Sequence, residues 1–206
     1  MEPEKEHETK VRLIRCGIEF FTEFGFNGVG INQVLARAEV PKGSFYHHFR
    51  DKEDYVLQVI LHYDQYFQKK LRKHFDAEEV SPLRRLRNFR DDAVKGMVRY
   101  KYRRGCLVGN LGQEMGAQSN ALRCAMKDIW TAWERLVAEL LEEAKRVGEI
   151  PETSDCVSLS VLFWLGWEGA ILRAKLLESE TPMIWFVDEF IQRMTHSSKN
   201  HPFPKL

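Results

Sequence analysis

Gly25-Phe26-Asn27-Gly28-Val29-Gly30-Ile31-Asn32-Gln33-Val34-Leu35-Ala36-Arg37-Ala38-Glu39-Val40-Pro41-Lys42-Gly43-Ser44-Phe45-Tyr46-His47-His48-Phe49-Arg50-Asp51-Lys52-Glu53-Asp54 is the stretch that decides the fold. Ile31, Val34, Leu35 and Ala38 share one face of a short helix, and Glu39-Val40-Pro41 breaks it. Pro41 suits a helix start, where its missing N–H would be unpaired anyway, so a second short helix runs from Lys42 to Phe49. Upstream, Val11, Ile14, Ile18 and Phe21 recur at helical spacing until Phe24-Gly25. Two short helices joined by a tight turn and backed by a longer one make a helix-turn-helix unit.

The second helix of the pair carries Lys42, Gly43, Ser44, Tyr46, His47 and His48, followed by Arg50 and Lys52. Such a small, polar, basic surface suits phosphate oxygens and base edges, and Gly43 lets a backbone come close. Residues 10–52 hold seven Lys/Arg (10, 12, 15, 37, 42, 50, 52) against four Asp/Glu (19, 23, 39, 51), whereas the whole chain is only +1. That balance argues against a uniformly basic coat but permits a local basic face. Phe45 and Phe49 fall on the core side. A plain helical hairpin with a solvated face fits the same pattern.

Periodicity remains helical outward from this unit, and no segment alternates with period two. A long helix carries Val56, Val59, Ile60, Tyr63, Phe67 and Leu71. Ser81-Pro82 opens another to about Tyr100, and Gly112 and Gly116 leave Cys106 to Ala117 a weak helix at best. Ser119 or Asn120 caps a helix to Val147, Ser154 or Asp155 caps one to about Leu177, and Thr181-Pro182 opens the last. The tail Lys199 to Leu206 is expected to fray, and the acidic start to lie outside the first helix. The expected fold is all-α: a three-helix helix-turn-helix unit at 8–68 joined to a larger helical bundle at 69–200.

With 206 residues, 44% hydrophobic and 12% aromatic, the chain can bury a large core and is not disordered. Its N-terminus lacks a secretory signal, and Glu168, Arg173 and Lys175 interrupt the apolar stretch Val157 to Leu177. That stretch therefore reads as a buried helix and not a membrane span. Four scattered cysteines, Cys16, Cys106, Cys124 and Cys156, read as reduced thiols. A cytoplasmic protein is expected.

Phe21-x-x-x-Gly25-Phe26, with the run from Val34-Leu35 through Ala38, Val40-Pro41-Lys42-Gly43-Ser44-Phe45-Tyr46-His47-His48-Phe49 to Lys52-Glu53, resembles the DNA-binding signature of the TetR family of repressors. The match covers the first quarter of the chain. It implies a homodimer on a palindromic operator of double-stranded DNA and a C-terminal domain that binds a small-molecule effector. Val29-Gly30 stand where hydroxyl residues are frequent, and Glu39 where glycine is usual. Both departures, and the stretch from Gly105-Cys106 to Glu114, are similar to a subgroup that senses N-ethylmaleimide or acrylate-type electrophiles. Tyr46, Lys52 and Ser44 match family positions that contact phosphates. Gly30, Lys42, Gly43, His47 and His48 complete the expected DNA-binding set.

Trp130, Trp133, Trp164 and Trp167 on two long helices could line an apolar pocket, or pack as ordinary core. Arg173, in an apolar helix, could hold a polar ligand end or reach solvent. Cys106 follows Arg103 and Arg104 at a helix start, which favours thiolate and a sensing role, with a structural cysteine as the rival. No cofactor is expected, and no metal: His47 and His48 are adjacent and so point about 100° apart. The leading reading is a ligand-responsive repressor without catalytic activity. The alternative is a helical-bundle enzyme acting on small organic molecules with Cys106 as nucleophile.

Overall fold

The computed structural model describes residues 2–195, all of it helix and connecting turn. The described residues form α1 (Glu2–Phe24), α2 (Ile31–Ala38), α3 (Lys42–His48), α4 (Lys52–Phe75), α5 (Pro82–Arg99), α6 (Leu107–Met115), α7 (Asn120–Arg146), α8 (Cys156–Leu177) and α9 (Thr181–Thr195). The chain is all-α, an N-terminal helix-turn-helix followed by a helical bundle. The division at residues 68 and 69 falls inside α4, which runs through both parts, and the expectation for Lys199 to Leu206 lies outside the described residues.

Aromatic rings hold the first three helices against α4. The Tyr55 ring lies 5.8 Å from Phe21, 5.3 Å from Phe45 and 4.9 Å from Phe49. Its hydroxyl donates to the Leu13 carbonyl at 2.7 Å, so this buried polar atom is satisfied. Glu39 ends α2 in the left-handed region at φ 55°, the conformation that glycine would adopt without strain. Val40 N–H bonding to Leu35 O and the burial of Ala38 and Val40 hold it there. Asp51 caps α4 by accepting from Asp54 N at 2.8 Å.

Three expectations change. First, α1 already begins at Glu2, so the acidic start is helical, and Glu6 on it pairs with His47 of α3. Second, α6 is a regular helix of nine residues in spite of its glycines, because Leu107, Val108, Leu111 and Met115 are buried. Tertiary packing outweighs the glycine cost of about 1 kcal/mol each. Third, α8 is not a wholly buried helix. It packs on α7 and α9 through Phe163, Trp167 and Ala170, while Val157, Leu162, Leu165, Leu172, Leu176 and Leu177 face outward. Length and a mean hydropathy of 1.3 over its most apolar window would suit a membrane span, but the packed face belongs to this bundle. Phe163, Ala170, Val187, Phe190 and Met194 turn inward within the chain.

Candidate functional site

On α3, Lys42, Gly43, Tyr46 and His47 are exposed and Ser44 and His48 half-exposed, while Phe45 and Phe49 are fully buried. Phe45 and Phe49, one turn apart, thus anchor the helix, and the rest face outward as one polar strip. Tyr46 is 54% exposed and rests edge-on against Phe45, with ring centroids 5.4 Å apart. His47 Nε2 meets Glu6 at 3.1 Å. Gly30 is exposed at the start of α2, where its N–H donates to Gln33 Oε1 at 2.8 Å.

Lys52 stands apart from this strip. Its ammonium turns inward, donates to the Phe26 carbonyl at 2.8 Å and lies 3.9 Å from the centre of the Phe26 ring. Desolvation lowers its pKa from the ordinary lysine value. What it holds is the turn between α1 and α2. The same turn is gripped from the other side by Glu114 of α6, whose carboxylate accepts from Phe26 N (3.1 Å), Asn27 N (2.9 Å) and Asn27 Nδ2 (3.0 Å). Gly25, at φ +70°, is required twice over: it bends the chain, and any Cβ there would strike the Glu114 carboxylate. Asn110 Nδ2 and Gly105 N both donate to Thr22 O, and Ser119 bonds Glu53, so α6 and its flanks are tied to α1 and α4 along their length.

Between α1, α4, α5 and α8, with Met183 of α9 and the segment that leads into α6, lies a cavity of about 570 Å³. Tyr63, Phe67, Phe89, Met97, Trp167 and Ile171 give it an apolar wall. Cys106 and Glu168 supply buried polar groups, and Arg15, His62, Lys70 and Arg104 line the remainder. The volume is that of a small-molecule site. Cys106 is the N-cap of α6, its sulfur accepting from Gly109 N at 3.4 Å. Gly109 has no side chain where the Glu168 carboxylate lies, so that carboxylate sits against both the thiol and the first turn of α6.

The expected activated thiolate is not what this geometry provides. Burial, and then the Glu168 carboxylate, push the Cys106 pKa well above the usual thiol value. The two cations invoked for it are spent elsewhere: Arg103 pairs with Glu23 at 3.6 Å, and Arg104 with Glu19 at 3.8 Å and Glu23 at 3.7 Å. Burial likewise raises the Glu168 pKa, to about 7.

Of the tryptophans, only Trp167 lines the main cavity. Trp133 is fully buried as core, its Nε1 donating to Asp64 at 2.7 Å. Trp130 and Trp164 line a separate hollow of about 410 Å³ between α7 and α8, with Glu168 on its edge. Arg173 is a correction. It is exposed and far from either wall, because five residues beyond Glu168 is about 140° around the helix. Tyr63, Phe67 and Phe89 were missed as cavity residues, since a core face and a cavity face have the same periodicity. The grip of Glu114 was missed because its partners lie 87 and 88 residues away. Glu168 did leave a signal, as an acid in an apolar helix.

A helix-turn-helix with a polar, exposed second helix, sharing one long helix with the wall of a largely apolar pocket, defines a DNA-binding transcriptional regulator of the ligand-responsive class. The chain belongs to the TetR family: the family model for bacterial regulatory proteins of the tetR family matches residues 13–59, and that for the tetracyclin repressor-like C-terminal domain matches residues 82–190. It is similar to the transcriptional regulator AcuR of Cereibacter sphaeroides, 48% identical over 178 residues, covering 86% of this chain and 81% of the relative. The transcriptional repressor NemR of Escherichia coli K12 is a more distant relative, 29% identical over 184 residues, with 89% and 92% covered. A crystal structure of a regulatory protein TetR from Rhodobacter sphaeroides superposes with a TM-score of 0.85 at 47% identity, covering 88% of this chain and 96% of that one. These relatives are transcriptional regulators, and the alternative of a bundle enzyme using Cys106 as nucleophile is without support.

Proposed function

We propose that the chain is a homodimeric repressor that holds a palindromic operator through α3 and leaves it when a small molecule occupies the cavity. One observation carries this reading: α6 joins the two sites. Its first turn, Cys106 and Gly109, meets the cavity groups, and Glu114 at its other end holds the α1–α2 turn beside α3. A shift of α6 of an ångström cannot leave both ends satisfied. Occupancy that favours the shifted α6 therefore weakens DNA binding by its differential affinity for the two states.

In this reading Lys42, Gly43, Ser44, Tyr46, His47, His48 and Gly30 meet DNA. Lys52 orders the turn behind them. Residues 8–68 form the DNA-binding part and 69–200 the effector and dimer part, acting in the cytoplasm. The outward apolar face of α8, with Trp185 of α9 at 62% exposure, supports a two-fold helical interface. The buried Cys106 thiol supports reversible occupancy over covalent capture.

Fluorescence anisotropy with DNA from just upstream of the chain's own gene tests the proposal. Steep salt dependence is expected, and a protected palindrome with half-site centres roughly 34–36 Å apart or a multiple of it. A monomer by sedimentation at micromolar concentration, or salt-insensitive binding to any duplex, overturns it.

A further inference from the structure

We infer that Glu168 is the recognition group of the cavity, and that the effector meets it with a hydrogen-bond donor (an amide, an amidine or amine, or a hydroxyl) carried on an apolar body. The inference rests on the cavity being the effector site and states which chemistry that site selects.

Of the basic side chains around the cavity, Arg15 is exposed to solvent and the other three are paired within the chain. Lys70 pairs with Asp92 at 3.1 Å, Arg104 with Glu19 and Glu23, and His62 Nδ1 bonds Gln58 O at 2.8 Å. Glu168 has no cation against it. Its Oε1 is shut away from water and bonds nothing, one of two such side-chain atoms among the described residues; the other is Trp164 Nε1, one turn earlier on α8. The side chain that meets the carboxylate is the Cys106 thiol, a weak donor, with Tyr63 close enough to feel its charge. A buried acceptor without a donor is costly, so this oxygen calls for a partner from outside the described residues.

The walls decide what else that partner must be. Tyr63, Phe67, Phe89 and Trp167 offer ring faces and edges that accommodate a flat apolar body, and at the Glu168 end a neutral or cationic donor is favoured over an anion, while Arg15, Lys70 and Arg104 stand elsewhere on the lining. A ligand carboxylate would instead face the Glu168 carboxylate at close range. Because that carboxylate occupies the space left by the missing Cβ of Gly109, any group that draws it toward the cavity acts on the first turn of α6. Recognition and signal then share one contact.

Four probes of one shape isolate the donor: benzamidine, benzamide, acetophenone and benzoate, titrated calorimetrically into the full-length protein at pH 8. Benzamide and benzamidine are expected to bind about tenfold or more tighter than acetophenone, which has a methyl in place of the donor, and benzoate weakest. In Glu168→Leu, benzamide and acetophenone should become equal. In Glu168→Gln, which keeps the volume and a carbonyl acceptor, benzamide should persist while benzamidine loses its advantage. Ala93→Phe, filling the cavity from α5, should abolish all binding. Equal binding of benzamide and acetophenone to wild type, or a donor preference that survives Glu168→Leu, overturns the role of Glu168 and leaves the cavity reading standing. Binding that ignores Ala93→Phe, or no binding of any probe, overturns the cavity reading and this inference with it.

Discussion

Tyr55 and Glu168 each hold a polar group away from water, yet their surroundings differ. Around Tyr55 the hydroxyl has the Leu13 carbonyl, and three phenylalanine rings close on its ring from α1, α3 and the residue after α3. Around Glu168 there is open volume, a thiol that donates poorly and an oxygen with no partner. The DNA-binding half is built to keep one shape. The cavity is built with something missing, and it places that deficit against α6, the helix that reports to the other half.

Tyr55→Ala is the strongest way to break this comparison. Losing a fully packed ring together with its hydrogen bond to the Leu13 carbonyl should cost about 4 kcal/mol in urea denaturation, enough to unfold the N-terminal unit in many conditions. Tyr55→Phe should cost about 1 kcal/mol, because the rings stay in place. A cost for Tyr55→Ala below about 1 kcal/mol would show that the unit is not the rigid half.

Glu168 should act with the opposite sign. Its pKa of about 7 lies above the ordinary 4.5, so between those values the folded chain holds a proton that the unfolded chain has released. Stability therefore falls as pH rises from about 4.5 to 7, by about 3 kcal/mol in all, and stays lower above that. Cys106, Tyr63 and His62 face the same space, but they are common to both proteins when wild type and Glu168→Gln are compared. The variant should be the more stable at pH 8 and nearly equal at pH 4. A variant less stable at pH 8 would make Glu168 an ordinary structural residue.

Legibility in the sequence follows the same divide. The α2–α3 unit could be read residue by residue because its determinants are local: the apolar face of Val34, Leu35 and Ala38, the break at Glu39-Val40-Pro41, the polar strip from Lys42 to His48. Even the strained Glu39 was visible. The cavity was only half legible. Cys106 and Trp167 do line it, but Trp133 is core, Trp130 and Trp164 belong to another hollow, and Arg173 faces solvent. Helical spacing says that a side chain turns inward and not whether it meets an atom or a void. The charge argument for Cys106 failed for a related reason. Arg103 and Arg104 are next to it in sequence, but their partners on α1 are some 80 residues away.

Glu114 joins the two regions, and its removal should be felt in both at a moderate level. Glu114→Ala frees two backbone N–H groups and the Asn27 amide, all near solvent, so a stability loss of about 1–2 kcal/mol is expected. The sharper readout is coupling. With the grip gone, a cavity ligand should still bind, yet operator affinity measured by anisotropy should no longer depend on it. Full ligand-induced release in Glu114→Ala would route the signal through another contact.

The smallest effect separates two residues that look alike as phosphate contacts, Tyr46 and Lys52. Tyr46 is half-exposed and its hydroxyl makes no hydrogen bond among the described residues, so Tyr46→Phe should leave thermal stability unchanged within about 0.5 kcal/mol. Losing one hydrogen bond to a charged phosphate should still weaken operator binding about tenfold. Lys52→Ala should behave differently. It removes the bond to Phe26 O and the ammonium over the Phe26 ring, so the α1–α2 turn loosens and Tm falls by a few degrees. Operator affinity then falls through disorder of the turn, with the salt slope nearly unchanged, since no phosphate contact is lost with it. A full unit of salt slope lost in Lys52→Ala, with Tm intact, would return Lys52 to the DNA-facing strip and make the inward ammonium a feature of the free protein alone.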